Sequence, residues 1–563
     1  MLMALFSFFM NLLLMVLPLY SLQVFDRVLS TGSMDTLLWL SVIMVVVFLA
    51  AGLLQMLRSF ALIRVGEWMD SRLSPSLLAT SLSTAAVTGM RSTQSLRDLN
   101  TIRGFLTGHG LLTFFDAPWS VISLAVIYCI HFDLGNLTLA GCVLLLGLAW
   151  INEIAMRKPL DEANRINARS FGQLDIAMRN AEVVEAMGMS DAVADFWQKA
   201  NGKTTQLQSL ASYRSCIIQA ITRFLRLSLQ VAITGWGAYL ALHNQITSGS
   251  IIAASILAGR ALQPFDAAIG VWKSLVEARE AYASLQKSLT RMPPRQEGIT
   301  LPEPQGKLDV EKVFYCAPNR NVPILRNVNF SLMAGETLGI IGPSAAGKST
   351  LAKLIVGVWK PQAGAVRLDG GEVAHWKREQ FGKFTGYLPQ DVELFSGSVK
   401  DNIARLISDA DDTAIVKAAQ LACAHEMIMA LPNGYGTDIG PNGMNLSAGQ
   451  RQRIGLARAF YGDPRLLILD EPDASLDIDG ERALTQALLK AKANNITTLV
   501  ITHRRSLLFF LDKLLVIKNG EIMMFGPMRQ VMNALAPGEY RVKPPTAAVT
   551  AETNAERPYY ATA

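Results

Sequence analysis

Charged residues are scarce in the first half of this chain, and their scarcity sets the outline of the protein. Charged side chains make up 17% of the 563 residues, whereas hydrophobic residues make up 50% and the mean hydropathy is +0.27. Soluble proteins of this length are rarely so apolar, so a membrane-embedded part is expected. The apolar excess ends near residue 285, and the remainder has the composition of a soluble domain.

Cysteine is also scarce, and its spacing argues against a metal or redox pair. The chain has five cysteines, none of them in a C-x-x-C pair, so we interpret them as small buried hydrophobes. The net charge of +6 is modest, and the basic residues cluster in loops between apolar segments. That distribution favours membrane topology and argues against nucleic-acid binding.

Six apolar segments are long enough to cross a bilayer, which requires about 20 residues per helix. The first has no basic residue before it and no A-x-A site after it, so we interpret it as a retained helix and not as a signal peptide. The loops after the second and fourth segments carry most of the basic residues, which places them and both chain ends in the cytoplasm. Residues 1–290 therefore predict an all-α transmembrane domain, with spans at approximately 4–24, 37–57, 115–131, 137–154, 225–243 and 251–271.

The two long loops combine mixed charge with apolar residues at helical spacing, which predicts that the membrane helices continue into the cytoplasm. A proline-rich linker follows at 291–306. Over 307–540, short apolar strands such as 337–341, 466–469 and 497–501 alternate with helices, which predicts an α/β domain with a mainly parallel sheet. The polar segment 541–563 is expected to be disordered.

A phosphate-binding loop lies between the predicted strand at 337–341 and a helix beginning at Lys348. It fits the pattern G-x-x-x-x-G-K-[ST]. Its small residues allow backbone N–H groups to surround phosphates, with Lys348 reaching the β- and γ-phosphates and Ser349 holding Mg²⁺. The loop consists of Gly342, Pro343, Ser344, Ala345, Ala346, Gly347, Lys348, Ser349 and Thr350.

A second motif places two carboxylates at the end of an apolar strand, in the sequence Leu-Leu-Ile-Leu-Asp470-Glu471. Asp470 is suited to a metal, and Glu471 is suited to orienting a water for attack on the γ-phosphate. Taken alone, the pair could equally be a capped turn.

The sequence Leu446-Ser447-Ala448-Gly449-Gln450 stands just before that strand. It resembles the signature motif of ATP-binding-cassette (ABC) ATPases, usually Leu-Ser-Gly-Gly-Gln, with Ala448 in place of the first glycine. Alanine adds a methyl group and disfavours a positive φ. We expect it to be tolerated because Ser447 and Gly449 keep the positions that contact phosphate.

The resemblance extends to four further positions in the family's order. It implies that Tyr315 stacks on adenine, that Gln390 senses the γ-phosphate and metal, that Asp477 lies in the loop crossing between two cassettes, and that His503 is the switch histidine. Taken alone, these would be a packing residue, a loop amide, a helix N-cap and a structural histidine, respectively.

In this family the signature motif completes the ATP site of the opposite cassette. The chain has one copy of each motif, so the resemblance implies a homodimer with two composite sites that use ATP and Mg²⁺. Ser447, Gly449, Gln450 and Asp477 would each contribute to nucleotide binding. Lys348, Gln390, Glu471 and His503 would carry hydrolysis, and Ser349, Gln390 and Asp470 would hold the metal.

Three stretches of the membrane domain, 19–28, 114–119 and 179–189, look like the type I secretion ABC transporters, in particular the alkaline-protease (PrtD-type) branch. That resemblance implies a bacterial inner-membrane exporter of unfolded polypeptides carrying C-terminal signals. It also implies a periplasmic adaptor and an outer-membrane channel as partners. Some related exporters carry an N-terminal papain-like peptidase, which we do not expect before the first span.

Alternative functions are a lipid or drug flippase of the same architecture, a non-transport ABC ATPase, and a degenerate regulatory cassette. The six spans argue against the second, and the intact Lys348, Glu471 and His503 argue against the third. Four ionisable residues lie in or at the ends of predicted spans, where charge usually faces a cavity or a partner. We hypothesise that Arg260 lines the substrate path; the alternative is a pair with Asp266 or with the backbone at the cytoplasmic end of the helix. The other two are Asp116 and Arg226.

Overall fold

The structure is a computed structural model that describes residues 2–88, 93–291, 298–317 and 322–535. The chain divides into two compact units, Met1–Ala85 with Met90–Pro294, and Ala86–Gly89 with Arg295–Ala563. The division at Pro294 falls inside the predicted linker 291–306, of which residues 292–297 lie outside the described residues. The segment predicted to be disordered, 541–563, lies outside them as well.

In its described residues the first unit is entirely helical, as the apolar composition predicted. A five-residue π-helix, Val24–Val28, continues the second helix, and a 3₁₀ turn, Ala117–Trp119, follows the sixth. The α-helices are α1 Leu2–Leu14, α2 Val16–Gln23, α3 Leu29–Thr31, α4 Met34–Thr88, α5 Gln94–Thr107, α6 His109–Asp116, α7 Ser120–Ile130, α8 Phe132–Arg179, α9 Ala181–Ala186, α10 Ser190–Leu242 and α11 Ser248–Arg291.

Helices α4, α8 and α10 are 55, 48 and 53 residues long, respectively. A bilayer accounts for only about 20 residues of each. The excess confirms that the membrane helices continue beyond the spans, as the helical spacing in the mixed-charge loops predicted.

Five of the described helical runs are long and apolar enough to cross a membrane: Met3–Thr31, Met34–Thr88, Gly110–Ile130, Phe132–Arg179 and Ser190–Leu242. Each of them overlaps one of the first five predicted spans. Helix α11, which contains the predicted sixth span, is not among them. Arg260, Gln263 and Asp266 lie within it and lower its hydropathy, so the sixth span stays a prediction.

The second unit contains two sheets. Four strands form an antiparallel sheet in the order β2-β1-β4-β5, and six form a sheet in the order β10-β9-β3-β8-β7-β6, whose pairs are parallel except for β10 with β9. The strands are β1 Leu308–Cys316, β2 Pro323–Leu332, β3 Thr337–Ile341, β4 Ala363–Leu368, β5 Gly371–Glu372, β6 Thr385–Leu388, β7 Leu466–Asp470, β8 Thr497–Ile501, β9 Lys513–Lys518 and β10 Glu521–Pro527.

Both faces of the six-stranded sheet are buried. Along β7, Leu467 and Leu469 pack into one apolar core while Leu466 and Ile468 pack into another, because successive side chains of a strand point to opposite faces. The helices of this unit are α12 Lys348–Ile355, α13 Arg378–Phe384, α14 Val399–Ile403, α15 Asp412–Leu421, α16 His425–Met429, α17 Ala448–Phe460, α18 Ile478–Ala493, α19 Arg505–Leu508 and α20 Met528–Leu535.

Candidate functional site: a nucleotide site at the strand ends

The phosphate loop connects β3, inside the parallel sheet, with the N-terminus of α12. Gly342 has φ 156°, and a Cβ on it would lie 2.1 Å from the carbonyl oxygen of Ile517. Gly347 has φ 100° and caps α12, and Ala345 also adopts a positive φ of 63°. The loop therefore follows a path that only small residues allow, with its N–H groups at the positive end of a helix.

Lys348 extends back along the loop and is only 6% exposed. Its Nζ donates hydrogen bonds to the carbonyl oxygens of Gly342 (2.8 Å) and Pro343 (3.1 Å). Burial lowers the pKa of Lys348, while the carboxylates of Glu471 and Asp470 act in the opposite direction. The carbonyl oxygens of the loop thus hold the ammonium group in place over the loop.

Asp470 ends β7 and is 2% exposed. Its Oδ1 accepts a hydrogen bond of 3.2 Å from the hydroxyl of Ser349, in the first turn of α12. Burial raises the pKa of Asp470, and the hydrogen bond from Ser349 opposes that shift. A hydroxyl and a carboxylate oxygen beside a phosphate loop are the donor set that suits Mg²⁺, which takes few protein ligands and completes its shell with phosphate and water.

Glu471 is the point on which the predicted catalytic residues converge. Gln390 donates from Nε2 to Oε2 of Glu471 over 2.8 Å, and Nε2 of His503 lies 3.6 Å from Oε1. The backbone of Glu471 has φ 48°, a strained value for a residue with a side chain. Strained conformations of this kind cluster at functional sites.

Gln452 was missed by the sequence analysis. It lies in the second turn of α17, is buried, and donates from Nε2 to the carbonyl oxygen of Glu471 over 3.2 Å. It therefore supports the strained backbone of Glu471, the predicted catalytic carboxylate. A polar residue two positions after the signature motif was the available signal, but nothing in the sequence showed that it points inward.

The signature motif forms the start of α17. Ser447 caps the helix, and two hydrogen bonds join it to Gln450. The hydroxyl of Ser447 accepts from the N–H of Gln450 (3.2 Å), and the N–H of Ser447 donates to the side-chain oxygen of Gln450 (2.9 Å). Ala448 is the first helical residue and is not among the residues with positive φ, which accounts for alanine at this position. A Cβ on Gly449 would lie 3.2 Å from the carbonyl oxygen of Ser475.

Asp477 caps α18 by accepting a hydrogen bond of 2.7 Å from the N–H of Gly480. Both Ser447 and Asp477 are exposed, and their hydrogen bonds among the described residues stay within their own helices. The structure thus shows that Asp477 caps α18. Its role between two cassettes stays a prediction.

Tyr315 packs against an aromatic neighbour of its own unit. The residue lies in β1 opposite Leu325, is 4% exposed, and stacks on Trp359 at 5.2 Å with an interplanar angle of 11°. The side chain of Gln362 bonds both backbone groups of Cys316, which fixes the end of this strand. Tyr315 therefore has a packing role in this unit, and its stacking on adenine stays a prediction.

The two acids of the predicted spans are each paired with an arginine. Asp266 lies 3.3 Å from Arg226 and Asp116 lies 2.7 Å from Arg58. Asp266, one alternative partner of Arg260, is thus paired with Arg226, and the place of Arg260 on the substrate path stays a prediction.

Comparison with known proteins agrees with this geometry. The family model described as ABC transporter matches residues 325–474, and the model described as ABC transporter transmembrane region matches residues 1–264. The structure is similar to a bacterial Atm1-family ABC exporter with ATP bound, with a TM-score of 0.81, 21% identity and 95% of each chain covered. At that identity the likeness concerns the fold.

Two curated relatives are closer in sequence. The chain is 37% identical to the type I secretion system ATP-binding protein PrsD of Rhizobium meliloti, over 93% of this chain and 91% of that one. It is 30% identical to the alpha-hemolysin translocation ATP-binding protein HlyB of Escherichia coli, over 94% of this chain and 75% of that one.

Proposed function

The chain belongs to the type I secretion ABC transporters, and we propose that it uses ATP hydrolysis to export unfolded polypeptides across the bacterial inner membrane. The observation that carries the ATPase part is the convergence of Gln390 and His503 on Glu471, beside the Ser349–Asp470 pair. The polypeptide cargo rests on the relatives, which include a secretion protein and a toxin translocator.

The loop and its neighbours divide the work on the nucleotide. The N–H groups of residues 344–350 and the ammonium group of Lys348 hold the phosphates. Ser349, Asp470 and Gln390 would hold Mg²⁺, which when bound neutralises charge on the phosphate oxygens. Glu471 orients the attacking water, with its carboxylate fixed by Gln390. His503 is placed on the other carboxylate oxygen, where it can contact the transferred phosphate.

Two chains are needed to complete each site. Ser447, Gly449 and Gln450 lie at the N-terminus of α17, an end that attracts anions, yet Ser447 is exposed and bonded only within its helix. We propose that this end and Asp477 face the nucleotide of a second copy in a homodimer. The further partners would be a periplasmic adaptor, an outer-membrane channel and a cargo with a C-terminal signal.

The test uses the full chain in lipid vesicles. Glu471→Gln should retain ATP binding and lower hydrolysis by about 100-fold or more. Lys348→Ala should lower binding itself, which separates the two roles. A C-terminal fragment of a secreted substrate should change the ATPase rate of the unaltered chain, whereas added lipid or amphipathic drug should not. Full activity of Glu471→Gln would refute the hydrolysis mechanism, and stimulation by lipid alone would favour a flippase.

A further inference from the structure

A buried polar cluster joins three helices of the membrane unit. Arg58 of α4 donates from Nη1 to Oδ1 of Asp116 in α6 (2.7 Å) and to the hydroxyl of Ser7 in α1 (2.9 Å). Asn11 of α1 donates from Nδ2 to the carbonyl oxygen of Ser7 (2.8 Å) and lies 3.5 Å from the same carboxylate oxygen. We call Ser7, Asn11, Arg58 and Asp116 the charge clasp. None of them takes part in the nucleotide site.

The burial of Arg58 makes each charge of the charge clasp depend strongly on its partner. Arg58 is 3% exposed although it carries a full charge, and its Nε has no hydrogen-bond partner. An ion pair in a low-dielectric surrounding is strongly coupled, so removing one partner leaves an uncompensated buried charge. Such a pair is a weak source of net stability but a strong constraint on which elements lie together.

The charge clasp also accounts for much of what holds the first helix. Apart from its continuation α2, helix α1 packs mainly against α6 and the 3₁₀ turn Ala117–Trp119. The ring of Phe8 lies 4.9 Å from that of Trp119, next to the charge clasp. Polar and aromatic contacts therefore meet on one face of α1. Leu5, on the same helix, is exposed.

The charge clasp lies at the ends of three predicted spans that face the same side of the membrane. With both chain ends in the cytoplasm, Ser7 lies near the start of the first predicted span, Arg58 just after the second, and Asp116 at the start of the third. All three are cytoplasmic ends. A polypeptide arriving from the cytoplasm passes this level of the membrane first.

We propose that the Arg58–Asp116 pair is a positioning element that tethers α1 to α6 at the cytoplasmic end of the membrane domain, and that export requires this tether. The two residues act by placing the first span and do not contact the nucleotide. The export requirement rests on the proposed function, whereas the tether itself can be measured without cargo.

The test measures tethering and export separately. In a chain whose five native cysteines are replaced, Phe8→Cys and Trp119→Cys introduce a pair that a short bismaleimide can link. Asp116→Asn should slow cross-linking and reduce export by about tenfold or more, with basal ATPase within about twofold. Asp35→Asn, an exposed acid at the start of α4, is the matched control and should change neither.

Covalent rescue distinguishes tethering from direct action on cargo. Once the two introduced cysteines are linked, the Asp116→Asn chain should regain export. A double change, Arg58→Met with Asp116→Met, removes both charges and so leaves no lone buried cation in the membrane. Like Asp116→Asn, this chain should cross-link slowly and should regain export once the two cysteines are linked. Unchanged cross-linking in Asp116→Asn would overturn the tether, and failure of linked chains to export would overturn its role in transport.

Discussion

The side-chain amide of Gln390 donates a hydrogen bond of 2.8 Å to Oε2 of Glu471, although 81 positions separate the two residues in the chain. His503 approaches the other carboxylate oxygen at 3.6 Å. Each carboxylate oxygen of Glu471 thus has a polar neighbour, so the fold sets the position of the carboxylate. A preorganised carboxylate needs little rearrangement to direct a water, which is how such sites accelerate hydrolysis.

Tyr315 should behave as a core residue. Tyr315→Phe keeps the ring that stacks on Trp359, so the KM for ATP should stay within about twofold. Tyr315→Ala empties buried space and should lower the stability of the ATPase unit by about 3–5 kcal/mol, measured by denaturant unfolding. A raised KM with unchanged stability in Tyr315→Ala would instead indicate stacking on the base.

Gly342→Ala should disable the phosphate loop. The added methyl group would lie 2.1 Å from the carbonyl oxygen of Ile517, and the backbone has φ 156°, so the loop has to move. We expect loss of ATP binding in equilibrium titration. Gly382→Ala in α13 is the matched control, because a Cβ there meets nothing within 4 Å; it should leave binding intact. Normal binding by Gly342→Ala would contradict the loop geometry.

The signature helix should accept the family's usual residue. Ala448 is the first residue of α17 and has no positive φ, so Ala448→Gly should keep the ATPase rate within about twofold. Gly449→Ala places a Cβ 3.2 Å from the carbonyl oxygen of Ser475 and should lower the ATPase rate more than Ala448→Gly does. A large gain of activity in Ala448→Gly would show that alanine limits this site.

Glu280 should give the membrane unit a pH-dependent stability. Burial and then Asp161 raise the pKa of Glu280 to about 7, against a hydrogen bond of 2.7 Å from Asn164. A folded-state pKa above the unfolded value favours folding at low pH, and this contribution is lost as the pH rises through about 7. The melting temperature should therefore fall as the pH rises from the ordinary pKa of 4.5 to about 7, and level off above it.

Substitution isolates this effect. Glu280→Gln should flatten that part of the melting profile in detergent, since the amide does not titrate. Glu277→Gln, one turn earlier and paired at 3.9 Å with Lys273, should leave the profile unchanged. An unaltered slope in Glu280→Gln would assign the pH dependence to another group.

Local pattern was sufficient for much of this protein. The apolar strands at 337–341 and 497–501 were predicted at their observed bounds, because parallel strands buried on both faces are continuous hydrophobic runs. Asp470 ends such a strand, Glu471 follows it, and Lys348 lies at the end of the loop after another, so their meeting at one sheet edge could be foreseen. Gln390 and His503 were identified by resemblance, and the structure supplies their distances.

Other features depend on pairing that sequence does not specify. The antiparallel sheet of β1, β2, β4 and β5 joins strands with bulges, where alternation is broken. The packing of Tyr315 on Trp359 could not be predicted, because the same aromatic suits a core or a base, and strand register decides which face it takes. The partner of Arg58 could not be foreseen either, since the choice among acids depends on how helices pack.

The Nζ of Lys348 donates hydrogen bonds to the carbonyl oxygens of Gly342 (2.8 Å) and Pro343 (3.1 Å). These two bonds use two of the three N–H donors of the ammonium group. The third donor can meet a phosphate oxygen without either carbonyl oxygen losing its partner. The backbone of the loop thus sets where its cation stands, so the same turn of chain that surrounds the phosphates also aims the charge that attracts them.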